Sequence, residues 1–316
     1  MLPERRPSDP DLPFATDLYA LPRLMALSSF RRLFQVPAVR VMAAPALAVR
    51  RAVQKRRVAN GRKGLDQLRN VLAADPVIRL AEFEGVFSLD ARSHLFERIV
   101  LDGQYEPDLA AVCVAHLDPA RDAIDVGTNV GFFTVLMARH LPERRVLAVE
   151  PTPAALAQLA LNLRRNNVSD NVVTFEGAVA NRPGRRQLSV IDGREEYASL
   201  GPLVHAATAG AAGHSIEVAV ATIDDLVREH GLAPGFIKID VEGAELSVLE
   251  GALETLRTHR PIILSELSPR LLAAQGATAE RVLDLLRGLG YVLSDPTTPG
   301  GPVGKRTYGD LLAIPA

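Results

Sequence analysis

Apolar positions along the chain follow two periods, and the places where one gives way to the other mark its elements. Short, almost uninterrupted apolar runs are the sign of strands buried on both faces. They occur at Ala123 and Ile124, leading into Asp125, and at residues 145–150, 172–176, 236–240 and 261–266. Between and after them apolar residues recur every three or four positions, as on one face of a helix, over 109–117, 132–140, 153–166, 222–230, 246–256 and 280–290. Strand and helix in alternation predict a mainly parallel sheet covered on both faces. Two further apolar runs, 291–294 and 311–314, are separated only by a Pro- and Gly-rich stretch at 295–305, so the last strand is expected to run antiparallel. The fold class expected is therefore α/β, a doubly wound, mainly parallel seven-stranded sheet.

Other segments are read less regularly. Residues 79–89 alternate enough for a strand or hairpin, with Phe83, Val86 and Phe87 inward. Residues 187–191 and 215–220 read as a strand pair flanking a segment that contains the Ala- and Gly-rich run 206–213, equally a lid or filler. Pro107 suits the first turn of the helix after it, and Thr222 can cap another. At the start, four prolines within thirteen residues predict disorder. A helical pattern broken at Pro22, Pro37 and Pro45 follows, with Leu24, Leu27, Phe30, Leu33 and Phe34 on one face. The division expected is a disordered N-terminus (1–18), a basic helical extension (19–78) and an α/β domain (79–316).

Charge sharpens that division. Through Gly64 there are 13 Lys and Arg against 4 Asp and Glu, a net of +9; beyond it 23 bases face 33 acids, a net of −10. A basic amphipathic arm fits an anionic membrane surface, but packing on the domain or on a second subunit is the favoured reading, because apolar helix faces are usually protein-facing. Nucleic acid is not expected: Trp is absent, aromatics are 5%, and no base-reading pattern accompanies the arm. A single cysteine, Cys113, excludes a disulfide framework and a cysteine-based zinc site. Residues 1–13 lack the apolar run of a signal peptide, and 41–49 is too short to span a bilayer. The expectation is a cytoplasmic protein, with peripheral contact at the inner membrane face as the alternative for the arm.

Candidate chemistry collects where the first strand meets its helix, at Asp125-Val126-Gly127-Thr128-Asn129-Val130-Gly131-Phe132-Phe133-Thr134. Glycines let the backbone turn sharply and approach a ligand closely. Asp125 places a carboxylate at the crevice where open α/β sheets bind ligands. A dinucleotide site requires G-x-G-x-x-G; here the spacing is G-x-N-x-G followed by two phenylalanines, and the acidic first residue suits a cation better than a diphosphate. Glu150 ends the second strand about 20 residues on, where an acid accepts hydrogen bonds from ribose hydroxyls. Gly177 and Ala178 follow the third strand and are small enough to leave room for an adenine.

These residues, with Ile237-Lys238-Ile239-Asp240-Val241-Glu242-Gly243-Ala244-Glu245, Gly103-Gln104-Tyr105-Glu106-Pro107 and Glu150-Pro151, resemble the FkbM family of S-adenosylmethionine-dependent methyltransferases, from about Arg79 to the C-terminus. The resemblance implies S-adenosyl-L-methionine as cofactor and methylation of hydroxyl oxygens on small molecules, sugars or lipid-linked glycans. It implies that Asp125, Gly127, Asn129 and Gly131 hold the methionine part and Glu150 the ribose. Glu106, Thr128, Phe132, Pro151, Gly177 and Ala178 complete the expected cofactor contacts. Asp240 and Glu242 are expected to face the methyl group.

Of these, Asp240 is the expected general base, as a partly buried carboxylate whose pKa is raised; orienting the cofactor or capping the next turn is the other reading. Glu245 suits a helix N-terminus, and His205 and His214 are the remaining base candidates. Asp240, Glu242 and Glu266 are oxygen ligands of the kind a hard cation prefers, but the acid-then-Asp-Asn pairing of metal-dependent catechol-type methyltransferases is missing, and no metal is assigned. The alternative function is a noncatalytic protein of the same fold, recruited to a partner or membrane by its basic arm.

Overall fold

A computed structural model of the chain describes residues 75–202, 210, 212–297 and 309–316. The expected disordered N-terminus, nearly all of the basic extension, His205, most of the 206–213 run and most of the 295–305 loop lie outside the described residues. Among the described residues no helix is long and apolar enough to cross a membrane.

The strands are β1 (Val77–Leu80), β2 (Gly85–Ser88), β3 (Asp122–Val126), β4 (Val146–Glu150), β5 (Val172–Glu176), β6 (Ala178–Val179), β7 (Gly184–Val190), β8 (His214–Ala221), β9 (Pro234–Ile239), β10 (Ile262–Glu266), β11 (Tyr291–Ser294) and β12 (Asp310–Pro315). The helices are α1 (His94–Asp102), α2 (Pro107–His116), α3 (Phe132–His140), α4 (Pro153–Arg165), α5 (Ile223–His230), α6 (Glu245–Glu250), α7 (Leu253–Thr258), α8 (Pro269–Ala274) and α9 (Ala279–Gly288). The main sheet has seven strands in the order β11-β12-β10-β9-β3-β4-β5, and β12 is antiparallel to both neighbours. The expected doubly wound sheet is present, with the expected antiparallel final strand. Every residue of β3, β4 and β9 is buried, which is why they read as apolar runs rather than alternations. One core layer lies under α1 to α4, the other under α5 to α9.

Chain order runs outward from β3 to β4 and β5, then returns to place β9 on the other side of β3. That reversal opens a crevice at the carboxyl ends of β3 and β9, the usual ligand position in such sheets. The 187–191 and 215–220 pair is also present, as β7 and β8, but joins β6 in a separate three-stranded sheet.

Two expectations change in detail. The single helix expected over 246–256 is two, α6 and α7. A β-carbon on Gly251 would lie 2.2 Å from the Ala180 carbonyl oxygen, and the Gly251 carbonyl accepts the Asp224 N–H at 3.0 Å; these contacts draw the backbone out of the helical ladder. Val86, expected inward with Phe83 and Phe87, is only half-buried. Helix α1 has no counterpart among the sequence expectations, although its signals are ordinary. Ser93 Oγ accepts the Phe96 N–H at 3.1 Å as N-cap, and Gly103 closes the helix at φ 75°.

The β1–β2 hairpin is held to the domain by two asparagines one helical turn apart. Asn162 accepts the Ser88 N–H at 2.7 Å and donates to the carbonyls of Ser88 at 3.2 Å and Val130 at 2.8 Å. Asn166 does the same for Val86, accepting its N–H at 2.9 Å and donating to its carbonyl at 2.8 Å. Amide side chains on α4 and at its end thus stand in for a missing strand along β2. Replacing the fully buried Asn162 with Ala orphans backbone groups of both Ser88 and Val130. The expected loss is on the order of 2–3 kcal/mol, read as a lowered urea midpoint in equilibrium unfolding.

Candidate active site

At the crevice the strand ends, the turn after β3 and three more distant segments enclose a cavity of about 450 Å³. Residues Gly127 to Val130 of the turn after β3 line it. Gly127 lies at φ 80°, and a β-carbon there would sit 1.9 Å from the Asp240 carbonyl oxygen, so the turn is pressed against the exit of β9. Gly131 lies at φ 92° and begins α3, where a β-carbon would meet Leu159 of α4 at 2.5 Å. Its role is helix packing, and it does not line the cavity. Gly177 does not line it either: a β-carbon there would lie 2.7 Å from the Ala219 carbonyl oxygen in the small sheet. The other candidates, Glu106, Asp125, Gly127, Thr128, Asn129, Phe132, Glu150, Pro151, Ala178, Asp240 and Glu242, all line this one cavity.

Asp125 is 1% exposed. Its Oδ2 accepts the hydroxyls of Thr128 at 2.9 Å and Thr134 at 2.6 Å, while its buried Oδ1 has no partner. The Thr128 hydroxyl is thus engaged within the protein, by Asp125 and by the Thr134 hydroxyl. Glu150, at the tip of β4, is held by three donors: the Asn129 N–H at 2.9 Å, the Thr152 N–H at 2.8 Å and the Thr152 hydroxyl at 2.6 Å. Burial raises its pKa, and the bonds from Thr152 and Asn129 oppose that rise.

Lys238 stands across the ladder from Asp125, in register on β9. It is 6% exposed, donates to Asp240 Oδ2 at 3.1 Å, and lies 4.5 Å from the centre of the Phe133 ring. Burial works against its charge, but Asp240, Asp125 and Glu106 outweigh that and hold its pKa above the ordinary lysine range. Asp240 departs from expectation. Burial raises its pKa, as anticipated, but the Lys238 charge and hydrogen bonds from Lys238 and Glu266 overcome that and hold it below the usual carboxylate range. The expectation of a raised value failed because the ammonium two residues earlier points at the same carboxylate.

The neighbouring acids move the other way. Glu242 is pushed up to about 9 by burial and by the charges of Asp240, Glu245 and Glu196. Burial and Asp240 raise Glu266 to about 10, and Asp310, at the start of β12, to about 6, with Glu106 contributing to the latter. Glu106, the residue before α2, is raised by burial and then by Asp240. Glu245 does not line the cavity; it accepts the Gly243 N–H at 2.9 Å, fixes the turn into α6, and is raised to about 7 by burial. Among the described residues no group of three His, Cys, Asp or Glu side chains is arranged to hold a metal ion.

Sequence reasoning missed the far wall. His94 and Arg98 reach the cavity from α1, and Glu195, Glu196 and Tyr197 from the turn after β7. Tyr197 and His94 are joined by a 2.9 Å hydrogen bond through Nδ1, and Glu196 lies 3.4 Å from the same nitrogen. The Ser93 cap and the spacing of Leu95, Phe96 and Ile99 were the available signals for α1; nothing comparable marked the turn. His214, a candidate base, sits half-exposed beside Asp192 at 3.7 Å and does not line the cavity.

Replacing Lys238 with Met tests the electrostatic core of this arrangement. The wild-type Asp240, with its depressed pKa, contributes stability that is present above the unfolded carboxyl pKa and lost as pH falls through the folded value. Without the ammonium, burial alone acts and the sign reverses. The variant should lose about 2 kcal/mol at neutral pH, less than for a wholly buried pair because the Asp240 side chain is 33% exposed. The deficit should shrink in acid; urea unfolding of both proteins across the acid range measures it.

The chain is similar to several known methyltransferases. The protein named Methyltransferase 1 of Beauveria bassiana is 29% identical over 144 residues, covering 40% of this chain and 57% of that protein. Methyltransferase sdnD of Sordaria araneosa is 28% identical over 167 residues, covering 45% and 64%. The chain thus spans about three fifths of the length of these curated relatives. Among solved structures, methyltransferase FkbM from Methylobacillus flagellatus KT aligns with a TM-score of 0.41 at 17% identity, covering 69% of this chain and 52% of that one. The family described as Methyltransferase FkbM domain matches residues 125–293, more than half of the sequence, and the chain belongs to that family.

Proposed function

We propose that the chain is an S-adenosylmethionine-dependent O-methyltransferase that methylates a hydroxyl of a small molecule, sugar or glycolipid. One observation carries the reading: a cavity at the topological switch point in which a buried carboxylate oxygen, Asp125 Oδ1, accepts nothing from the protein. A buried acceptor without a donor is costly, and an ammonium-bearing ligand supplies the missing donor. Charge agrees, since nine carboxyl residues line the cavity against Arg98, Lys238 and His94, a lining hostile to a diphosphate. The residues fit the cofactor. Asp125 and the turn at Gly127 and Asn129 would hold its methionine part, Glu150 its ribose, and Pro151, Ala178 and Val179 its adenine. When bound, it supplies a methyl group on a positively charged sulfur. Membership of the methyltransferase family and the names of the relatives support the same reading.

The work left to the protein is to fix a hydroxyl in place and take up its proton. Fixing alone supplies much of the acceleration, and proton transfer adds typically 10²–10⁴-fold. Asp240 is suited to the second task. Lys238 and Glu266 keep it ionised at neutral pH, whereas Glu242 and Glu266 keep their protons there. Its depressed pKa makes it a weak base, so proton transfer comes late, as the hydroxyl becomes acidic.

Calorimetric titration should show binding of S-adenosylhomocysteine and none of NADH; heat from NADH alone sinks the proposal. With labelled S-adenosylmethionine and a panel of sugars, glycolipids and small alcohols, Asp240→Asn should bind the cofactor yet lose about 10²-fold or more in turnover. Binding without transfer to any hydroxyl would return the noncatalytic reading.

A further inference from the structure

The carboxyl groups at one end of the cavity are too many for the cations that face them. Asp240 follows β9 and Glu266 ends β10, neighbouring parallel strands with Ile239 and Ser265 in register, so both carboxyl groups stand at one edge of the sheet and line the same cavity. Carboxyl groups placed side by side favour retaining a proton, because two adjacent negative charges repel. Glu242 stands two residues beyond Asp240 in the left-handed conformation, at φ 53°. Gly243 behind it leaves no room to move, since a β-carbon there would lie 2.5 Å from the Leu271 carbonyl oxygen.

The groups facing this trio come from every surrounding element. Lys238 lies on β9 and Asp125 on β3; Arg98 comes from α1, Glu106 from the start of α2, Glu196 from the turn after β7, Glu245 from α6 and Asp310 from β12. Two permanent cations, Lys238 and Arg98, are each already matched, by Asp240 at 3.1 Å and Glu106 at 3.6 Å. Burial first, and this excess of neighbouring acids after it, raise the pKa values of Glu242 and Glu266. Independently, the 1% exposed Asp125 lines the same cavity, and one of its carboxylate oxygens is buried without a partner.

We propose that the Asp240–Glu266–Glu242 cluster distinguishes the charged methyl donor from its uncharged product, a sulfonium ligand displacing protons from the cluster that a thioether ligand leaves in place. This rests on the S-adenosylmethionine reading. The two ligands share the nucleoside and the amino acid part and differ by the methyl group and one positive charge. That charge favours ionised carboxylates over protonated ones. The donor's advantage over the product therefore grows as pH rises toward the range in which the free cluster ionises, by as much as tenfold per pH unit for each additional proton released. Exchange of spent product for fresh donor is biased by the cavity itself.

The test is calorimetric titration of the full chain with S-adenosylmethionine and, separately, with S-adenosylhomocysteine, each in two buffers of different ionisation heat, at about pH 6 and about pH 7.5. The expected result is that the donor releases roughly half to one proton more than the product. The ratio of their affinities should rise several-fold between the two pH values. Glu266→Gln and the half-exposed Glu242→Gln should each cut the proton difference at least in half. Glu217→Gln, which removes a surface acid paired with Arg185 outside the cavity, should leave it unchanged. Equal proton release by the two ligands overturns the proposal, as does an undiminished difference in both cluster variants. Binding of neither ligand overturns the donor reading and this inference with it.

Discussion

The site depends on one buried cation. Lys238 stands beside Asp125 in the β3–β9 ladder, at the point where chain order reverses. A lysine there is tolerable only because its charge is met on each side: by Asp240, by Asp125, and by the face of Phe133 on α3. Each of those groups is then constrained in turn. Asp125 is tied to Thr134 in the first turn of α3 and to Thr128 in the glycine turn. The orientation of α3, the course of the turn and the ionisation of Asp240 are thus consequences of a single charge placed between two central strands.

Backbone conformation follows the same logic. Glu106, Asn129 and Glu242 adopt the left-handed region at φ 42°, 50° and 53°, and all three line the cavity. Non-glycine residues rarely hold that conformation, and it persists where the surroundings over-determine it. Around Glu242 the determinants are visible: Gly243 packs under the Leu271 carbonyl, Glu245 takes the Gly243 N–H, and Gln275 reaches the Glu242 carbonyl at 3.4 Å. Around Asn129 they are Gly127 against the Asp240 carbonyl and the pinned Glu150 carboxylate. The reversals aim polar groups inward from segments that otherwise leave the sheet.

Much of this was legible in sequence because strand tips are local. An apolar run ending in an acid, followed by glycines and a helix, states both the element and the position of its carboxylate, and Asp125, Glu150 and Asp240 all fall at one crevice. What sequence could not show was how tips on different strands act on each other. Asp240 looked like a carboxylate raised by burial; Lys238 and Glu266 make it the opposite, and the part played by Glu266 does not exist until β9 and β10 lie side by side. Asn162 and Asn166 fall within the helical stretch 153–166 with nothing to set them apart, yet their partners on β2 are 74 and 80 residues away. Helix α1 carried readable cap signals, but its pattern is that of any amphipathic helix and says nothing of a cavity.

The walls of the cavity differ in origin. Residues 125–293, the span matched by the family, supply the glycine turn, Glu150, Ala178 and the Asp240–Glu242 turn. From outside that span come His94, Arg98, Tyr105, Glu106 and Leu109 on one side and Asp310 on the other. The earlier group is joined to the sheet by packing: Phe83 and Phe87 of the hairpin region and Tyr105 meet Phe132 at centroid distances of 4.7 to 5.4 Å, and the two asparagines secure β2. A fixed donor with a variable acceptor calls for one wall set by the sheet and another free to change with the segments laid over it. On the proposed function, α1, the start of α2 and the start of β12 form that second wall, and the aromatic contact with Phe132 couples it to the turn that holds the donor.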